Sequence, residues 1–237
     1  MRMLAVDSAT PVAGVALLQD GIILKEEFTN FKKTHSETMM PAVDRVLREC
    51  ECSLTDLDAL AVTVGPGSFT GLRIGLAMVK GLALATHLPV VGLNTLEVIA
   101  HNLYHTDALV CPLLNARKGE VYCGFYQVDD RPRMLAEMRA CAPEEFIEQA
   151  RSLMQEQGFP QTVLLGDGYL PYAETFQEGL GEQLMVAPAH LMLPRAAALA
   201  HLAADLANRG EYVDIINLCP VYIRLSEAEY RLGKGAV

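Results

Sequence analysis

A chain of 237 residues, 51% hydrophobic and 20% charged, has the composition of a folded globular protein and excludes an intrinsically disordered one. Its 29 acidic and 19 basic residues leave a formal charge of −10, which repels a phosphate backbone, and it contains no Trp to stack on bases. Direct nucleic-acid binding is therefore not expected, and the densest basic spots, Lys32 with Lys33 and Arg131 with Arg133, read as solvated surface.

The chain opens with three predicted strands, Met3 to Ser8, Val12 to Gln19 and Ile22 to Thr29. Ala9 to Pro11 turns between the first two, and the Asp20-Gly21 pair is a hairpin signal between the second and third. Asp7 interrupts the apolar run that an export signal would need, so a cytoplasmic protein is expected. A helix follows, with Met39, Val43, Val46, Leu47 and Cys50 on one face; Pro41 either sits in its first turn or kinks it. Ala59 to Val64 is a continuous apolar run suited to a strand buried on both faces. The helix predicted from Phe69 to His87 carries Gly71, Gly75 and Gly81 beside Ala77, Ala83 and Ala85, small enough to let another helix approach closely. Arg73 and Lys80 interrupt its apolarity, which argues against a membrane span. A strand at Pro89 to Leu93 comes next, and Thr95 is read as the cap of a helix running toward Tyr104.

The second half repeats this order. Strands are predicted at Leu109 to Asn115, Val121 to Val128 and Met134 to Ala140, then a helix from Pro143, a strand at Thr162 to Leu165, a short helix near Leu170 to Phe176 and a strand at Leu184 to Val186. A last helix from Arg195 stops before Gly210, and the tail beyond Tyr212 reads as surface, with its packing against the first lobe left open. The pattern is a duplicated α/β plan with an N-terminal lobe over 1–104 and a C-terminal lobe over 105–237. Six cysteines without a CxxC spacing exclude a zinc-ribbon arrangement and fit buried free thiols in a reducing compartment.

The strongest local motif is GPGSFTGLR, Gly65 to Arg73, directly after a buried strand and opening a helix. Its turn can aim backbone donors at an anion, and serves equally as a tight turn with nothing bound, since it lacks the Lys of a P-loop. Asp7 and Ser8 end the first strand at the place where actin-like ATPases and sugar kinases hold magnesium and phosphate; Ala9 stands where those proteins have glycine, and Asp7 also reads as a hydrogen-bonded turn acid. Gly166-Asp167-Gly168 follows another apolar strand and is explained by turn chemistry as well. Asp7, Ser8, Gly65, Gly67, Ser68, Gly166 and Gly168 are thus the candidate nucleotide contacts. His101 and His105 have a metal-pair spacing but no third ligand in register, and read as half-exposed surface histidines. No nucleophile elbow or triad is present.

The segments MLAVDSATPVAGVAL, HSETMMPAVDRVL, GPGSFTGLRIGLAMVKGLA, LNTLEVIA, NARKGEVY and GDG run in an order and spacing that resembles the TsaB (YeaZ) family, densely over the first 125 residues. The resemblance implies an actin-like (ASKHA, ribonuclease H-like) fold of two lobes. It also implies a non-catalytic part in forming threonylcarbamoyladenosine at position 37 of tRNAs that read ANN codons. The related transferase TsaD binds its metal through a His pair, whose matching positions here are Thr95 and Ile99, so no metal and no intrinsic cofactor are expected. ATP and magnesium belong to the complex with TsaD and TsaE, which act on threonylcarbamoyl-adenylate made by TsaC. The implied partners are TsaD and TsaE, with a homodimer when alone, tRNA reached only through the complex, and no membrane. The implied partner surface is Met39, Val43, Leu47, Gly71, Gly75, Ala77, Met78 and Gly81, so that Gly75→Leu or Ala77→Arg is expected to separate the complex without unfolding the chain.

Overall fold

A computed structural model describes residues 1–31 and 34–224; Lys32, Lys33 and residues 225–237, with most of the predicted polar tail, lie outside the described residues. The first sheet holds β1 (Arg2–Asp7), β2 (Ala13–Gln19), β3 (Ile22–Thr29), β4 (Ala59–Gly65) and β5 (Val90–Asn94), in the order β3-β2-β1-β4-β5. Between these strands run α1 (His35–Glu49) and α2 (Phe69–Thr86), and α3 (Thr95–Ala100) follows β5. The second sheet holds β6 (Thr106–Arg117), β7 (Glu120–Val128), β8 (Pro132–Cys141), β9 (Thr162–Leu165) and β10 (Leu184–Val186), in the order β10-β9-β6-β7-β8. Its helices are α4 (Pro143–Gln157), α5 (Ala173–Leu180) and α6 (Ala196–Asn208). In each sheet an antiparallel triplet is extended by two parallel crossovers, so the two halves share one topology, as the repeated element order implied.

Local chemistry accounts for the boundaries. The Asp20-Gly21 turn takes the positive φ values of 50° and 83° that a tight hairpin requires. Thr34 and Glu37 form a capping box at the start of α1. Pro41 lies inside α1 beyond its first turn, which excludes the first-turn alternative. The cap of α3 is Asn94, whose side-chain oxygen accepts the N–H groups of Leu96 and Glu97 at 2.7 and 3.4 Å. Thr95 is instead the first helical residue, and the helix ends at Ala100, well short of Tyr104.

Alternation along the strands sends odd and even residues to different cores. Leu4, Val6, Leu60 and Val62 face α1 and α2. Met3, Ala5, Ala59 and Ala61 face α6, which arrives from the far end of the chain. Conversely α3, from the first half, presses Leu96 and Ile99 onto Val110, Tyr126 and Val128 of the second sheet, whose other face is covered by α4 and α5. The parallel part of each sheet must be covered on both faces, and each half supplies a helix to the other's sheet. Thus α6, from beyond residue 104, packs on the first sheet.

The described part of the tail is anchored at three points while most of its side chains stay exposed. Val213 donates to the Val90 carbonyl at 2.9 Å, Leu218 is 5% exposed within the first core, and Val221 donates to the Val64 carbonyl at 2.7 Å. Described residues beyond Tyr212 therefore fold back along the edge of the first sheet. Among the described residues α2 has the length and apolarity to cross a membrane, and it packs Leu72, Leu76 and Val79 inward.

Candidate functional site

The carboxyl end of β1 and the turn after β4 meet at one joint. Asp7 is fully buried; its Oδ1 accepts the Thr63 hydroxyl at 2.5 Å and the Ala9 N–H at 3.2 Å, while its Oδ2 has no partner among the described residues. The Ser8 hydroxyl donates to the Gly71 carbonyl at 2.8 Å, and the Ser68 N–H donates to the Ala9 carbonyl at 2.6 Å. A Cβ added at Gly67 would overlap the Ala9 carbonyl; one at Gly71, the Ser8 carbonyl; one at Gly75, the Ser8 hydroxyl. These glycines let the first turn seat directly on α2. The joint brings Asp7, Ser8, Gly65, Gly67 and Ser68 together, as a nucleotide site would need, but the N–H groups of Ser68 and Gly71 are spent internally, the latter on Ser68 Oγ at 3.2 Å. Gly166 (φ 111°) and Gly168 have a different reason: a side chain on either would run into the β6 backbone at Leu113 and Leu114.

Burial pushes the Asp7 carboxyl above its ordinary range, against the opposing hydrogen bonds from Thr63 and Ala9 and the charge of His35. A carboxyl raised in the fold favours its neutral form there, so its contribution to stability is present at low pH and declines as pH rises through the folded pKa. Asp7→Asn is expected to be more stable than wild type at pH 8, with the difference shrinking toward pH 4. Equal urea midpoints at both pH values would refute this.

The positions expected to replace a metal-binding pair do not suit a metal. Ile99 is buried in the second sheet's core and has no donor atom, and Thr95 is a lone buried hydroxyl. No group of three or more His, Cys, Asp or Glu side chains gathers among the described residues. His101 and His105 diverge. His105 Nε2 lies 3.1 Å from Asp130, whereas His101 Nε2 lies 2.9 Å from His201 Nδ1, with the two rings stacked. His101 is half-buried, and burial, then His201, pushes its pKa down to about 4.

Of the expected partner surface, Met39, Val43 and Leu47 pack into the first core, and Gly71 and Gly75 are covered by Ser8. Met78 is half-buried against the same core. Ala77 and Gly81 are exposed, beside Arg73 and Leu84, the latter 66% exposed. Met40, Asp44 and Arg48 line up on the exposed side of α1. Between the two helices lies a groove of about 440 Å³, with Val43 and Leu47 in its lining beside Met40, Asp44 and Leu82. A second groove, about 610 Å³, opens at the N-terminal ends of both helices between Phe31, His35, Ser68 and Ile74. There His35 Nε2 donates to the Thr10 carbonyl at 2.8 Å.

One group of residues escaped the sequence reading. The Arg73 guanidinium lies 3.7 Å above the Phe69 ring, and Tyr222 stacks on Phe69 with ring centroids 5.0 Å apart. Phe69 and Arg73 belong to the glycine motif, but nothing local links them to Tyr222.

The family model described as "TsaD: tRNA N6-adenosine threonylcarbamoyltransferase" matches residues 23–232. The "tRNA threonylcarbamoyladenosine biosynthesis protein TsaB" of Bacillus subtilis is 34% identical over 97% of this chain and 96% of its own length. The solved structure of YeaZ from Pseudomonas aeruginosa superposes with a TM-score of 0.78 at 29% identity, over 93% of this chain and 99% of that one. A ROK hexokinase from Thermus thermophilus, 17% identical with a TM-score of 0.54 over 86% of this chain and 100% of its own, shares the fold alone.

Proposed function

This chain belongs to the TsaB (YeaZ) family of two-lobed actin-like proteins that serve tRNA threonylcarbamoyladenosine formation, and we propose that within that process it is a non-catalytic scaffold that binds and supports a TsaD-like transferase. The observation that carries this reading is the two-sidedness of α2. Its inner face is closed on Ser8 and Ala9, which takes up donors a nucleotide would need, while Ala77, Gly81 and Leu84 on its outer face stay bare. Small residues on an exposed helix favour close helix-to-helix docking rather than chemistry. Thr95 and Ile99 supply no metal-binding pair, so the chain itself holds no catalytic metal in this reading. ATP and magnesium enter through TsaD and TsaE. The charge of −10 leaves tRNA to the partner, the same helical face pairs two copies when the partner is absent, and the protein is cytoplasmic.

Ala77→Arg tests the reading, because the residue is exposed and the substitution leaves the core untouched. Binding to a purified TsaD-like partner is expected to weaken by about a hundredfold, with an unchanged melting temperature. Unchanged co-elution would sink the docking reading, and ATP turnover by the isolated chain would sink the non-catalytic one.

A further inference from the structure

The outer face of α2 ends in a fixed cation. Arg73 Nε–H donates to the Tyr222 hydroxyl at 2.9 Å while its guanidinium covers Phe69, so the side chain is held along its length. Tyr222 is itself anchored on both sides. Val221 is hydrogen-bonded to Val64 and packs its carbonyl over Gly65, where a Cβ would come within 2.7 Å of it; Arg224 pairs with Glu120 and donates to the Ala116 carbonyl at 3.4 Å. Arg73 nevertheless remains exposed, and no acid pairs with it among the described residues.

A guanidinium has a planar fork of donors that matches a carboxylate, and one immobilised beforehand has already lost the rotamer freedom that binding would otherwise remove. Ala77 lies one turn further along the same face, and Lys80 two turns along. A stripe with two cations and a small-residue centre, on a chain of net charge −10, complements an acidic helix.

We propose that Arg73, held by the Phe69 ring and the Tyr222 hydroxyl, is a preformed carboxylate-recognition point on the docking face, fitting a partner helix that carries an Asp or Glu at its contact. The proposal rests on the α2 docking reading above and adds the chain's C-terminal segment to that surface.

The test is calorimetric titration of a purified TsaD-like transferase into the full-length wild type and the variants Arg73→Lys, Tyr222→Ala, Tyr222→Phe and Ala77→Arg, at low and high salt. Arg73→Lys and Tyr222→Ala are each expected to weaken binding by about tenfold, and Tyr222→Phe, which keeps the ring stack, by less. Melting temperatures accompany each variant; if Tyr222→Ala loses stability, Arg73→Lys and Tyr222→Phe carry the test. Loss of binding in Ala77→Arg with wild-type affinity in Arg73→Lys and Tyr222→Ala would overturn this proposal and leave the docking reading standing. Wild-type affinity in Ala77→Arg would remove the docking reading and this proposal with it. If the Arg73 and Tyr222 variants weaken only self-association, measured by sedimentation, the occupant is a second copy and the proposal fails.

Discussion

Gly71→Ala is expected to lower the unfolding free energy by about 3 kcal/mol or more, whereas Gly81→Ala, on the same helix, raises it by up to about 1 kcal/mol. The two glycines have opposite surroundings. A Cβ at Gly71 would overlap the Ser8 backbone carbonyl and press on the His35 ring and the Ser68 side chain, and no rotamer change can move a carbonyl aside. Relief requires the β1–β2 turn to lift from α2, which breaks the bond from Ser8 Oγ to the Gly71 carbonyl and leaves buried polar groups unpaired. At Gly81 nothing lies within 4 Å, so alanine only restores helix propensity. Urea unfolding of the two variants against wild type checks the pair, and equal midpoints for Gly71→Ala and wild type would show that the turn does not seat there. The same geometry changes what Gly75 can be used for. A leucine there collides with the Ser8 hydroxyl, so Gly75→Leu disrupts the fold and is not the clean interface probe its spacing suggested.

Acidification is expected to remove about 2 kcal/mol of stability through His101, in the window from pH 6.5 down to about 4. The ring sits at the end of α3 against His201 of α6, with Asp205 of the same helix and Arg131 of the β7–β8 turn facing it. Burial, the His201 ring and Arg131 disfavour the imidazolium, and Asp205 opposes them only in part. In that window the unfolded chain therefore holds a proton that the folded chain refuses, and stability rises with pH. The displacement of the pKa from 6.5 to about 4 converts to about 3 kcal/mol, which partial exposure of the ring reduces to ~2. His101→Gln is expected to flatten the stability profile between pH 4 and 6.5 while leaving it nearly unchanged at pH 8. An equally steep profile in the variant would assign the acid sensitivity to other groups.

Most elements were legible because their signals are local. β3, β9 and β10 have the boundaries that the sequence predicted, and α4 begins at Pro143, where a proline start places it. The errors cluster where two local readings compete or where a distant segment decides. Thr95 and Asn94 are both good capping residues, and the choice fell to Asn94 because its side chain reaches two N–H groups at once. His101 read as a surface histidine without a partner in register, and its partner His201 lies on α6, a hundred residues on.

The sequence by itself determined the element order, the duplicated α/β plan and the family, since periodicity, turn chemistry and motif spacing are all properties of short stretches of chain. Only the tertiary structure decided which small residues of α2 face inward. Gly71 and Gly75 are one helical turn apart and equally able to admit a partner, but Ser8, 63 residues before Gly71, occupies them. Tyr222, 149 residues beyond Arg73, likewise fixes a cation that no local pattern marks. Close approach is a relation between two surfaces, and a glycine spacing specifies only one of them.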